Sequence, residues 1–199
     1  MEPRHGAEPQ DTGRAALWLA HALNPSGVAT VTCLVMIASG PMRLSELVVA
    51  LTLLGVLPAV ILLILARRAD LADVYDPPKD LRQRFLMAGT VCYLIGYVFL
   101  FGIDASSQAR WMAATFALGA ACVWLIDRWW KISIHNAGAG GGAALMAASL
   151  DPAWWPVVGL LPALVGWARW RAGAHSVPQL AAGAALGAAV ALSLRAGLT

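Results

Sequence analysis

The sequence predicts an all-α fold: a polytopic membrane helical bundle of six or seven transmembrane helices with an N-terminal interfacial amphipathic helix. Two observations lead there. Of 199 residues, 59% are hydrophobic and only 13% charged, against about 45–50% and about 25% in soluble globular domains. The apolar residues also gather into helix-length runs, with most charges between them. A soluble chain of this size could not bury that much apolar surface in one core. The same composition excludes a disordered chain and a typical soluble enzyme. A formal charge of +3 is too mild to imply nucleic acid.

The elements follow in order. The polar start Met1–Thr12 has no short apolar stretch before a cleavage site, so no removed signal peptide is expected. Arg14–Leu23 mixes Arg14 and His21 with Leu17, Trp18, Leu19 and Leu23, the pattern of an interfacial helix, and Asn24-Pro25 ends it. Residues 1–25 are thus a tail and interfacial helix, and residues 26–199 a single membrane-embedded domain. Ser26–Ala38 is short enough for a half-span or a steeply inserted helix. Glu46–Ala66, Phe85–Ile103 and Trp111–Ile126 are the clearest spans, against a requirement of roughly 20 residues. Ile134–Leu150 and Pro156–Trp167 are weaker ones, and Gln179–Leu194 is an Ala/Gly/Leu run. Pro58 and Pro162 fall inside spans, where a bilayer protein accommodates them as kinks packed against neighbours.

Gly138–Ala148 and Ala181–Ala191 are rich in small residues, which let helix backbones approach closely in lipid. Tight packing within the chain is the first expectation, and a homodimer face the alternative. Trp129, Trp130, Trp154, Trp155, Trp167 and Trp170 lie near span ends, as interfacial belt residues do. Cys33, Cys92 and Cys122 sit in apolar segments with no metal-ligand spacing, and read as small buried residues.

With the loop Arg67–Arg84 on one side, two hairpins return the chain there at Asp127–Ser133 and again at Arg169–Pro178. That side carries Arg4, Arg14, Arg67, Arg68, Lys79, Arg82, Arg84, Arg128, Lys131, Arg169 and Arg171. The other keeps Arg43, Arg110 and Arg195. The positive-inside rule places the cation-rich side in the cytoplasm.

Three polar clusters share that side: Tyr75–Phe85 (YDPPKDLRQRF), Asp127–Gly138 (DRWWKISIHNAG) and Ala168–Gln179 (ARWRAGAHSVPQ). They bring Lys79, Arg82, Arg84, Lys131, Arg169 and Arg171 beside His135 and His175. Cations at helix ends next to two imidazoles form a phosphate pocket at a membrane surface. Asp127, beside Arg128 in the chain, reads as half of an interfacial ion pair.

Their spacing carries a resemblance. Arg169, five residues, His175, three residues and Gln179 resembles the third signature of the type 2 phosphatidic acid phosphatase superfamily, which runs Ser-Arg, five residues, His, three residues, Asp. Ser133–His135 (SIH) resembles its second signature, Pro-Ser-Gly-His, and KDLRQR occupies the place of the first. The phrases KISIHNAG and HSVPQLAAGAALG look like a branch of bacterial and archaeal membrane phosphatases with KIS-x-H and H-x-x-P-Q motifs. The resemblance covers Leu71–Gly187. Gln179 stands where the family has Asp, Ala168 replaces Ser, Ile134 replaces Gly, and the first signature lacks its Arg-Pro pair.

The resemblance implies a lipid phosphatase of a bacterial or archaeal cell membrane, hydrolysing a polyprenyl or glycerolipid phosphate. His175 would be the nucleophile and form a phosphohistidine. His135 would protonate the leaving alkoxide and then activate water. Lys79, Arg82, Arg84, Lys131 and Arg169 would hold phosphate oxygens, Ser133 and the amides around Asn136–Gly138 would add hydrogen bonds, and Gln179 would orient His175. The scheme calls for no metal and no cofactor; its partners are the lipid phosphate and the surrounding membrane lipids.

Two alternatives come from other classes. Asp70, Asp73 and Asp76 stand at i, i+3 spacing and on a helix could hold Mg²⁺ for a diphosphate, as in a prenyl or phospho-alcohol transferase; a solvated face is their plainer explanation. A non-catalytic relative that binds phospholipid is suggested by Gln179 and the weak first signature.

Overall fold

The computed structural model describes residues 22–40, 42–69 and 77–196. Among these residues all regular structure is helical. Seven long helices stand there, α1 (Pro25–Ser39), α2 (Leu44–Arg68), α3 (Lys79–Gly102), α4 (Ser107–Ile126), α5 (Ile134–Ser149), α6 (Trp155–Arg171) and α7 (Val177–Ala196), with one 3₁₀ turn, Pro152–Trp154, leading into α6. Four of them, α2, α3, α4 and α7, are long and apolar enough to cross a membrane. The 15–17 residues of α1, α5 and α6 correspond to the three weaker runs of the sequence. The expected interfacial helix Arg14–Leu23 and the triad Asp70, Asp73 and Asp76 lie outside the described residues, apart from Ala22 and Leu23.

Local chemistry sets the helix starts. Asn24 and Pro25, expected to end a helix, begin one: Asn24 Oδ1 accepts the Gly27 amide at 2.8 Å, and Pro25 holds the first helical position, where its missing N–H costs nothing. Ser106 and Ser133 cap α4 and α5 in the same way, accepting from the Ala109 and Asn136 amides. The start of α3 departs from the sequence expectation. The helix begins at Lys79, six residues before the apolar run, because Pro77-Pro78 stop the preceding chain and Lys79–Arg84 are good helix formers.

Each helix runs between the same two ends of the bundle. At one end α3 and α4 are joined by Asp127, which accepts from Arg82 and Gln83, while α5 and α7 meet where Asn136 Nδ2 donates to the Leu180 carbonyl at 3.1 Å. At the far end the buried Glu46 accepts from Arg43 Nε, the Ser106 amide at 3.0 Å and Ser106 Oγ at 2.6 Å. This fastens the start of α2 to the α3–α4 turn, and four donors, the Arg43 amide at 3.3 Å among them, offset the cost of burying the carboxylate. Arg43, Arg110 and Arg195 lie at that far end, against Glu46, the Phe101 ring and the Trp111 ring.

The small residues serve packing inside the chain. α5 and α7 run parallel in close contact, and a Cβ on Gly187 would fall onto the Ala137 carbonyl oxygen, one on Gly140 onto the Ala184 carbonyl. Gly183 and Gly187 make the i, i+4 small-residue pair through which helix backbones approach. Within α2, residues Leu51–Val56 are π-helical. Pro58 stands two residues beyond it, and a proline ring clashes with the carbonyl four residues before it, here that of Leu54 inside the π-helical turn.

The outside of the bundle is apolar: Val91, Leu94, Ile95, Val98 and Phe99 of α3 are all exposed. Trp129, Trp130 and Trp170 are exposed at one end, Trp154 and Trp155 at the other. Cys33 and Cys92 are buried and Cys122 is half-buried, all three as free thiols.

Candidate functional site

A cavity of about 440 Å³ opens among the helix ends that carry the polar clusters. Among the described residues, its lining includes Asn24, Arg82, Asp127, Lys131, His135, Arg169 and His175. Segments far apart in sequence thus supply two histidines, three cations and one carboxylate to a single space.

Backbone geometry explains why the third cluster reaches it. α6 ends in a Schellman motif: the Gly173 amide donates to the Trp170 carbonyl at 2.9 Å and the Ala174 amide to the Arg169 carbonyl at 3.1 Å. Gly173 takes φ = 69°, the left-handed conformation such a cap requires. The chain reverses within three residues, so Arg169 in the last turn of α6 and His175 just beyond it line the same cavity. The five-residue spacing between them is the length of this cap.

Arg169 is 2% exposed and His135 7%. His135 is the second residue of α5, and the Arg169 guanidinium and the His175 ring lie close enough to interact with it electrostatically. In so buried a place a guanidinium raises the local potential far more than it would in water. With one carboxylate against Arg82, Lys131 and Arg169, the described lining carries a net positive charge.

Asp127 is the residue the sequence misassigned. Its expected partner, Arg128, instead stacks over Trp124, 4.3 Å from the ring centroid. The buried Asp127 takes Arg82 Nε at 3.0 Å on both oxygens and Gln83 Nε2 at 2.7 Å. The carboxylate caps the wrong end of α4 for a negative charge, and Arg82 neutralises it.

The remaining candidates fall outside the lining. Lys79 and Arg84, on the first turns of α3, are exposed and do not line the cavity. Ser133 is fully buried, with Oγ accepting the Asn136 amide at 3.3 Å. The Asn136 and Ala137 amides are engaged by Ser133, which corrects the expectation that they face a phosphate. Gln179, half-buried, accepts the Ser176 amide on Oε1 at 2.9 Å and so caps the start of α7.

The other wall is apolar. Pro58, Ala59, Leu62 and Leu63 of α2 face Phe85, Leu86, Gly89 and Tyr93 of α3 across the cavity. Sequence reasoning gave these residues no part, because an apolar residue facing a cavity and one facing lipid look alike in a span.

No protein-family model matches the chain, and neither a curated protein nor a solved structure matches it.

Proposed function

We propose that this chain is an integral membrane lipid phosphatase, similar to the type 2 phosphatidic acid phosphatases, acting on a lipid phosphate or diphosphate monoester through a phosphohistidine. One observation carries the reading: His135, His175 and Arg169 line one positively charged cavity whose opposite wall is apolar. In the proposed reaction His175 attacks phosphorus and the bond to the lipid oxygen breaks. His135 donates a proton to that oxygen, releasing the lipid alcohol, or, from a diphosphate attacked at its terminal phosphorus, to the bridging oxygen, releasing the lipid monophosphate. Water, deprotonated by His135, then attacks the phosphohistidine and releases inorganic phosphate. Arg169, Lys131 and Arg82 neutralise the phosphoryl oxygens as charge shifts in the transition state. Lys79 and Arg84 would meet the anion on its approach, Ser133 would fix the start of α5 beneath His135, and Gln179 would hold the turn that presents His175.

In this reading all seven helices cross or enter the membrane, α1, α5 and α6 as short spans. The cavity end faces the cytoplasm of a bacterial or archaeal cell, as the cation count along the chain favours.

The experiment is phosphate release from polyprenyl, glycerolipid and sphingoid phosphates by the purified protein, with His175→Ala as control and EDTA in a parallel arm. Release abolished in His175→Ala and unchanged by EDTA supports the proposal. Full release by His175→Ala overturns it, and loss with EDTA favours a Mg²⁺-dependent transferase built on Asp73 and Asp76. A second reading, a relative that binds lipid phosphate without turnover, is favoured by one detail: the Gln179 amide that replaces a carboxylate is engaged by Ser176. Binding of lipid phosphate with no release by the wild-type protein would select it.

A further inference from the structure

We propose that the α2–α3 limb of the cavity is a slot for the hydrocarbon chain of a monoalkyl or prenyl phosphate, and that Gly89 sets the room for it. The inference rests on the phosphate-binding reading of the cavity's polar end and extends it to the tail.

Arg82, Leu86, Gly89 and Tyr93 stand at i, i+4, i+7 and i+11 along α3, which places them on one helix face, and all four line the cavity. At 1.5 Å per residue the stripe from Arg82 to Tyr93 is about 16 Å long. Pro58, Ala59, Leu62 and Leu63 of α2 line the other side. Deeper in the bundle the two helices touch, with Leu53 and Leu54 packed on Gly96. The contact falls within the π-helical turn, and the residues of α2 that line the cavity begin just beyond it, at Pro58. Tyr93 ends the stripe: it is buried, its hydroxyl bonds the Ser26 side chain, and its ring lies 5.9 Å from that of Phe116.

The slot therefore joins cations at one end to a mostly apolar limb between α2 and α3 at the other. That pattern complements an anionic head on an apolar chain, and the volume lies within the usual range of small-molecule sites. Gly89 is the position where a side chain is conspicuously absent. A Cβ there would meet no atom within 4 Å, so a larger residue would grow into the slot without displacing the protein.

The test uses dodecyl phosphate with a diazirine at the far end of its chain, photolysed with the protein in lipid nanodiscs and mapped by mass spectrometry. In the wild-type protein the label is expected on the lining residues Pro58, Ala59, Leu62 and Leu63 of α2 and Leu86, Gly89 and Tyr93 of α3. In Gly89→Leu, with an unchanged melting temperature, that labelling should fall at least tenfold. Leu62→Trp, which fills the slot from the opposite wall, provides the same check should Gly89→Leu fail to fold. Labelling confined to the outward residues Val91, Leu94 and Val98, or equal slot labelling in wild type and a folded slot-filling variant, overturns the proposal. Phosphate release from the same compound is scored separately. Slot labelling without release would leave the chain site standing and sink the phosphatase, whereas release with label only on outward residues would do the reverse.

Discussion

Arg82 shares its Nε–H between the two carboxylate oxygens of Asp127, 3.0 Å from each, forty-five residues apart in sequence. The pair fastens the start of α3 to the end of α4 and fixes the guanidinium at the cavity wall. In the proposed reaction Asp127 would act as a positioning residue, since by holding Nε it sets where the Arg82 guanidinium stands.

Removing this carboxylate should cost both stability and binding. Breaking a buried pair costs about 3–5 kcal/mol, and Arg82, 19% exposed, puts Asp127→Ala at the lower end of that range. Asp127→Asn keeps an oxygen for Gln83 and should lose less. Unfolding in detergent, followed alongside phosphate-ester KM and kcat, separates the two effects. Positioning predicts that KM rises in the still-folded Asp127→Asn protein. A stability loss with unchanged KM would leave Asp127 a purely structural residue.

The α5–α7 contact makes a sharper prediction about folding. Because a Cβ on Gly187 would coincide with the Ala137 carbonyl oxygen and lie close to the Gly141 amide, the two backbones must separate to admit one. Gly187→Val should leave little folded protein, as measured by size-exclusion profile and thermal melt. Gly159→Ala, on α6 with open space around the new methyl, should melt within a few degrees of wild type. Comparable behaviour of the two variants would mean that the glycines are not what holds α5 against α7.

All seven helical segments were legible as apolar runs, since lipid-facing and core-facing residues both register as apolar. What escaped the sequence was whatever depends on tertiary distance. Asp127 had Arg128 beside it in the chain, and nothing in the local pattern pointed to Arg82. Lys79–Arg84 read as a polar loop because charge dominated the window, although Pro77-Pro78 was an available helix-start signal. Gly173 offered a second missed signal: a glycine after basic residues and before Pro178 is the pattern of a helix C-terminus. The side count and the motif spacing both pointed to the histidine pair beside Arg169; what needed the fold was the helix cap that brings Arg169 and His175 to one cavity.

That glycine carries its own prediction. Gly173 has φ = 69°, and a Cβ added to it would meet no atom within 4 Å, so substitution acts through backbone strain alone. The left-handed region costs a residue with a Cβ about 1–2 kcal/mol, while Asn visits it more readily. Gly173→Val should therefore lower the melting temperature and shift His175 relative to Arg169, cutting kcat more than it raises KM. Gly173→Asn should recover most of both. Equal loss in the two variants would count against the cap as the device that presents His175.

The two histidines are separable by their place in the reaction. If His175 carries the phosphoryl group and His135 only moves protons, a substrate whose leaving group needs no proton bypasses the first task of His135 but not the second. With p-nitrophenyl phosphate, His135→Ala should still release a burst of nitrophenolate, then stall with phosphate bound to His175. Loss of general acid–base help typically slows a step about 10²–10⁴-fold, so the intermediate should accumulate. Rapid quench with ³²P-labelled substrate would show it as an acid-labile, base-stable label on the peptide containing His175. His175→Ala should give neither burst nor label. A label that persists in His175→Ala, or one found on His135, would reverse the assignment of nucleophile and proton carrier.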